Sequence, residues 1–194
     1  MMKIALGWLC TAALLGFAAP ALANPWRVDR AHSTLTFTNT YQNVAYNGQF
    51  RRFAATIDYN PGDLARAKFD VSVDITSLDT QNAERDHTAL GADFFDATQF
   101  PRAHFVTTSF HKMADGKVLA DGMLALRGIS KPVTLEVTFS PHGTTATLDV
   151  TAQLKRLDFG VGAGQWADPS MIGDAVTVHG HLVLTSAPAK HVAR

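Results

Sequence analysis

The chain of 194 residues has a single cysteine, Cys10, and it falls inside an apolar stretch at the N-terminus. Beyond that stretch there is neither a disulfide nor a thiol, so the fold rests on a packed core alone, even in an oxidising space. An excess of either charge is also missing: 17 basic and 17 acidic side chains cancel, with no Lys/Arg stripe. This excludes the electrostatic footprint of a nucleic-acid binder and the polybasic segment of a protein held on an anionic membrane surface. Long apolar runs are lacking too. The one near-continuous run, Ile4 to Ala19, is shorter than the roughly 20 residues of a spanning helix, so no stable membrane anchor is expected. That run follows a positive start at Lys3 and ends at Ala21-Leu22-Ala23, a small-x-small cleavage pattern. Residues 1–23 therefore read as a signal peptide, cleaved before Asn24 to release an exported, soluble protein.

What is present is a period of two. Val133, Leu135, Val137 and Phe139 alternate with Thr134, Glu136 and Thr138, and Phe69, Val71, Val73 and Ile75 alternate with Asp70, Ser72 and Asp74. The same beat runs through Phe53–Tyr59, Ala146–Leu154 and Val176–Leu184, with shorter versions at Leu35-Phe37 and Leu124-Leu126. Such alternation gives strands with one apolar and one polar face. Turn signals at Asn47-Gly48, Asn60–Asp63, Asp115-Gly116, Arg127-Gly128 and Pro141–Gly143 separate them and imply antiparallel neighbours. The expectation is all-β: about eight antiparallel strands in a barrel or sandwich, one domain over residues 24–187, and a frayed tail from Pro188 to Arg194.

One segment breaks the beat. Between Asp79 and Phe100 the pattern favours a helical insert near residues 82–91, with Thr80 or Asn82 as cap and Gly91 as stop. Glu84 and Asp86 suit its first turn. Ala83, His87 and Leu90 form a narrow stripe, and Phe94-Phe95 follow directly.

Several residues could carry chemistry. Glu84 and His87 share a helix face but supply two ligands where a closed structural site wants four. His179 and His181 share a strand face, yet the apolar set there is Val178, Gly180 and Leu182, which turns both histidines outward. Asp29, His32 and Ser33 have the residue types of a hydrolytic triad within five positions, without a Gly-x-Ser-x-Gly elbow. A metal-dependent or hydrolytic enzyme using one of these sets is the alternative reading. Gly160, Gly162 and Gly164 open no helix with a Lys-Ser/Thr start, so they read as a tightly turned loop carrying Trp166 and not as a phosphate cradle. No catalytic residue, metal or cofactor is expected.

Five pieces in order resemble the YceI-like, or polyisoprenoid-binding, family of bacterial periplasms. They are Asp29–Ser33 with Gly48–Phe53; Thr80–Leu90 with Asp93–Asp96; Phe100-Pro101 with Ala103 and Phe105; Asp121–Val133; and Arg156–Gly162. The resemblance covers essentially the whole mature chain. It implies a single lipocalin-like antiparallel barrel whose interior holds a long apolar chain: an isoprenoid, a quinone-like molecule or a fatty lipid. It also implies a homodimer as a common state. One departure is the run Asn39-Thr40-Tyr41-Gln42, where the family often has a histidine, so a headgroup contact does not carry over there. The charged stretch then becomes the insert that covers the barrel, with its acids in water and Arg85 held by a carboxylate.

Strand parity combined with that resemblance gives an expected lining. It comprises Phe37, Tyr41, Phe53, Ile57, Phe69, Val71, Val73, Phe105, Leu124, Leu135, Val137 and Leu148, with Leu90, Phe94 and Trp166 from the covering segments. Small inward residues such as Ala55, Ala120, Gly122, Ala146, Ala152 and Gly180 are expected to leave room among the rings.

Overall fold

The alternating segments form one antiparallel sheet that closes on itself, in a computed structural model that describes residues 25–186. The leader expected at 1–23 and the tail from Pro188 lie outside the described residues. The strands are β1 (Pro25–Tyr41), β2 (Val44–Phe50), β3 (Phe53–Asp58), β4 (Lys68–Asp74), β5 (Leu78–Asp79), β6 (Arg102–Lys112), β7 (Val118–Leu126), β8 (Ile129–His142), β9 (Thr145–Lys155) and β10 (Ala175–Ser186). Eight of them run round the barrel in the order β10-β9-β8-β7-β6-β4-β3-β1, and β1 returns to β10.

The two extra strands continue their neighbours across a kink. β1 pairs with β3 at Pro25–Trp26 and with β2 from Thr36 to Tyr41, while β5 pairs with β2 much as β4 pairs with β3. At the bend the main chain stays laddered: Arg51 N donates to Ser77 O and Asp74 N to Arg52 O. Arg51 pairs with Asp79 and Arg52 with Asp74 across the same bend. The wall therefore stays hydrogen-bonded through the bend.

The turn expected at Asn47-Gly48 is not one. Both residues lie inside β2, and the hairpin turn falls at Gln42-Asn43, each with positive φ (49° and 63°). Gly48 is there for another reason: a Cβ on it would lie 2.3 Å from the Phe37 ring, which lies flat over this position.

The helical insert is α1 (Ala83–Leu90), and its cap is Asn82, whose side chain accepts from Arg85 N at 2.9 Å. The helix ends at Gly91, whose N–H returns to Thr88 O. Contrary to the expectation, no carboxylate among the described residues pairs with Arg85. Its Nε donates to Thr80 Oγ1 and its Nη2 to Thr80 O, and the guanidinium stacks 4.4 Å from the Tyr46 ring centre. Asp86 is not simply in water either; it accepts from Thr80 N and Oγ1 and so fixes the helix entry.

Chain direction defines two ends. Turns 59–67, 113–117 and 143–144 lie at one end; α1, the 127–128 turn and the 156–174 loop lie at the other. The first end is sealed. Tyr59 packs its ring 5.1–5.9 Å from those of Phe69, Phe110 and Phe139, and Trp26 closes on Phe139 at 5.4 Å. The Trp26 indole N–H finds Tyr59 O at 2.9 Å, so the plug has no orphaned donor there.

Candidate functional site

The other end, the mouth, is built differently from the same strands. Val71 and Val73 of β4, Leu124 and Leu126 of β7, Leu135 of β8 and Val178 of β10 point inward, yet each keeps part of its surface accessible. They pack against clusters that include buried Phe94, Phe105, Phe159 and Val161, less completely than the residues of the sealed end. Two rings of this half come unusually close to the barrel wall. Phe105 lies over Gly122, where a Cβ would meet its ring at 2.4 Å, just as Phe37 lies over Gly48. Only glycine on the wall lets each ring come this close.

Around the rim the rings form a connected strip. Phe37 lies 5.7 Å from Phe50, and Phe50 lies 6.1 Å from Phe95, which with Leu90 anchors the insert on Ala103 and Ile75. Phe94 is buried and packs 5.5 Å from Trp166 of the 156–174 loop. A notch of about 220 Å³ between Thr88, Asp93, Phe94 and Trp166 marks the outer seam of these two covers. It is smaller than the roughly 300–1,000 Å³ of ordinary small-molecule sites.

The 156–174 loop is held by one buried cation. Arg156 is 5% exposed and donates only to main-chain carbonyls: Val161, Gly162, Trp166, Ile172 and Gly173. Burial lowers its pKa, and the nearby charge of Asp174 offsets this only in part. Gly160, Gly162 and Gly164 all have positive φ near 65°, which is how the loop folds its carbonyls back onto the guanidinium. Arg127 repeats the device, donating to Gly160 O and Ala92 O at 2.7 Å each and so joining the loop to the insert. Its Nε is buried without a partner.

The residues expected from the sequence divide into three groups. Phe37, Val71, Val73, Phe105, Leu124 and Leu135 meet round the mouth half, with Leu90, Phe94 and Trp166 in its covers. Ile57, Phe69, Val137 and Leu148 point inward but belong to the sealed half, where they are at most 7% exposed and leave no surface for a guest; Phe53 packs against the same group. Tyr41 is not in the interior. It is 46% exposed because β1 overruns the barrel at the hairpin tip, beside Val44.

The candidates for catalysis or metal binding fall outside. Ser33 Oγ donates to Asp29 O at 2.6 Å and accepts from Val183 N at 3.0 Å, so it pins the β1–β10 bulge between Asp29 and Thr34. Asp29 does hold His32 at 2.8 Å, and that bond depresses the Asp29 pKa, but His32 is exposed and makes no bond to the serine. His179 faces outward against Thr151, and His181 sits 2.6 Å from Asp149. Among the described residues no three metal-ligating side chains converge.

Sequence reasoning missed Arg156, Arg127 and Tyr46. Nothing in the local pattern marks Arg156, since its partners are carbonyls of a loop with no side-chain signature. Tyr46, Gly48 and Phe50 share one parity, which would have revealed a strand had Asn47-Gly48 not suggested a turn.

The YceI-like domain matches residues 26–184 of this chain. The protein is 31% identical to Protein YceI of Shigella flexneri over 169 residues, covering 82% of this chain and 88% of that one. Its structure is similar to that of BcnA from Burkholderia cenocepacia, with 32% identity and a TM-score of 0.78, covering 82% of this chain and 100% of the other. A polyisoprenoid-binding domain from Saccharophagus degradans shares the fold at 15% identity and a TM-score of 0.64, covering 85% and 99%.

Proposed function

This chain belongs to the YceI-like family, and from that premise we propose that it is a periplasmic binding protein for a long-chain isoprenoid or related amphipathic lipid, quinone-like cargo included. The lipid chain occupies the mouth half of the barrel and no catalysis is involved. One observation carries this reading: inward-facing Val71, Val73, Leu124 and Leu135 remain partly accessible while the other end of the same strands is packed solid. A tube closed at one end and lined by apolar groups at the other suits a slim, greasy guest. Each methylene buried there contributes roughly 0.8 kcal/mol, so a chain of about 30–40 carbons needs no hydrogen bond to stay. Ring strip Phe37–Phe50–Phe95 gives such a chain flat walls to pack on.

The hydrolytic alternative has no support in the geometry, because the Ser33 hydroxyl is already committed to main-chain groups. Among the described residues no helix is long and apolar enough to cross a membrane, which fits export in a free form.

The test is direct. Protein purified from its native compartment is extracted with organic solvent, and the extract is analysed by mass spectrometry; the delipidated protein is then offered a prenol. Stoichiometric lipid in the extract, or saturable uptake afterwards, is the expected result. Absence of both overturns the reading.

A further inference from the structure

Three arginines gather at the mouth, and none of them has a carboxylate partner. Arg156, Arg127 and Arg85 donate to carbonyl oxygens or to a threonine hydroxyl, and among the described residues no acid lies within 4.0 Å of any of their nitrogens. Of the exposed arginines, Arg51, Arg52 and Arg66 have acid partners, and Arg27, Arg30 and Arg102 have none among the described residues. For the exposed ones water supplies the compensation, whereas a cation removed from water needs a compensating charge most.

The three differ in what they leave free. Arg156 spends its donors on five carbonyls, and Arg127 is tied between the insert and the loop. Arg85 uses Nε and Nη2 on Thr80, leaving Nη1 without a partner among the described residues. Beside it stands Tyr46, which shares the inward parity of Gly48 and Phe50 and whose hydroxyl has no hydrogen bond among the described residues. Asp86 reaches Arg85 only through the shared Thr80 hydroxyl, and Asp174 is engaged by Leu157 N. The Tyr46 ring lies 6.4 Å from Phe37, the first member of the apolar strip. A polar pair with unused donors thus adjoins the end of the greasy wall, within the field of two further fixed cations.

We propose that Arg85 and Tyr46 form a headgroup site at the barrel mouth that selects amphiphiles carrying an anionic oxygen head, a phosphate monoester or a carboxylate, over neutral ones of the same chain. Arg85 donates to the head directly, Tyr46 gives a second hydrogen bond, and Arg156 and Arg127 act through their field. The inference rests on the lipid-binding reading above and names the kind of lipid.

Delipidated protein is loaded with an apolar fluorescent dye and challenged with matched pairs: geranylgeranyl monophosphate against geranylgeraniol, and a saturated fatty acid against its alcohol. The anionic member of at least one pair is expected to displace the dye about tenfold more tightly, a hydrogen bond to a charged group being worth that much. Which pair shows the preference separates a phosphate head from a carboxylate. Raising the salt shrinks the ratio, and inorganic phosphate alone does not displace the dye. In Arg85→Gln the ratio falls to about one, whereas Arg85→Lys keeps most of it. Equal displacement by both members of both pairs overturns the headgroup site while leaving lipid binding intact. Displacement by none of the four overturns the lipid reading itself. A ratio unchanged in Arg85→Gln shows that the arginine is only structural and overturns the assignment.

Discussion

At the sealed end Ile57, Phe69, Leu148 and Leu184 are each at most 1% exposed, whereas Val71 and Val73 farther along β4, Leu124 of β7 and Leu135 of β8 face inward and are only partly covered. The two halves share strands, parity and amino-acid types. What differs is the filling. In the sealed half, Tyr59, Phe69, Phe110 and Phe139 project across the axis and interdigitate. In the mouth half, Phe37 and Phe105 sit close against glycines, and the strands kink at Arg51-Arg52 and Ile75–Ser77. The sealed half is thus packed more completely than the mouth half of the same barrel.

If this division is right, truncation should hurt the two halves very unequally. Phe69→Ala, in the centre of the plug, should lose about 3–5 kcal/mol of unfolding free energy in urea titration. Val71→Ala, two residues along the same strand, should lose less than about 1 kcal/mol, because no tightly packed neighbours are left around a cavity. Equal losses would erase the distinction.

Arg156→Leu attacks the boundary between them. It strands the carbonyls of Val161, Gly162, Trp166, Ile172 and Gly173, and a cost of about 2–4 kcal/mol is expected from desolvated acceptors. Hydrogen exchange should rise throughout 156–174 while β6 to β8 stay protected. Global deprotection with no local excess would show that the loop is not a separate cover.

Filling the mouth should cost little stability and remove function. Val71→Phe enters a half with room for it, so the change should stay below the roughly 1–3 kcal/mol of overpacking, yet prenol uptake should fall at least tenfold. The smallest effect is acid sensitivity. Asp74 and Asp79 at the kink are held below the usual 3.8 by Thr76 with Arg52 and by Gln49 with the Gln81 main chain. A depressed folded pKa means that the unfolded chain takes up the proton first, so this stabilisation is present above pH about 4 and is lost as pH falls. Asp74→Asn should therefore lower Tm slightly at pH 7 and make the fall in Tm between pH 5 and pH 3 shallower.

Much of the fold was readable because alternation is a local property. The Val133–Phe139 and Val176–Leu184 beats gave both the strands and their inward faces, and Asn82 with Gly91 bounded the helix correctly. The errors came where a residue served a distant partner. Gly48 suggested a turn but accommodates the Phe37 ring; Arg85 suggested an ion pair but caps Thr80 and covers Tyr46. Tyr41 had the right parity and lies beyond the edge of the barrel.

Sequence by itself determined a disulfide-free, antiparallel all-β class with one helical insert; alternation left barrel and sandwich open, and the family resemblance pointed to the barrel. Only tertiary structure decided which inward apolar side chains touch each other across the axis and which stay partly uncovered. Parity reports the side of the sheet on which a residue lies, but the distance to the opposite wall depends on strand tilt, on two kinks and on glycines that let rings lie flat. Those are relations between segments far apart in the chain, and no local pattern encodes them.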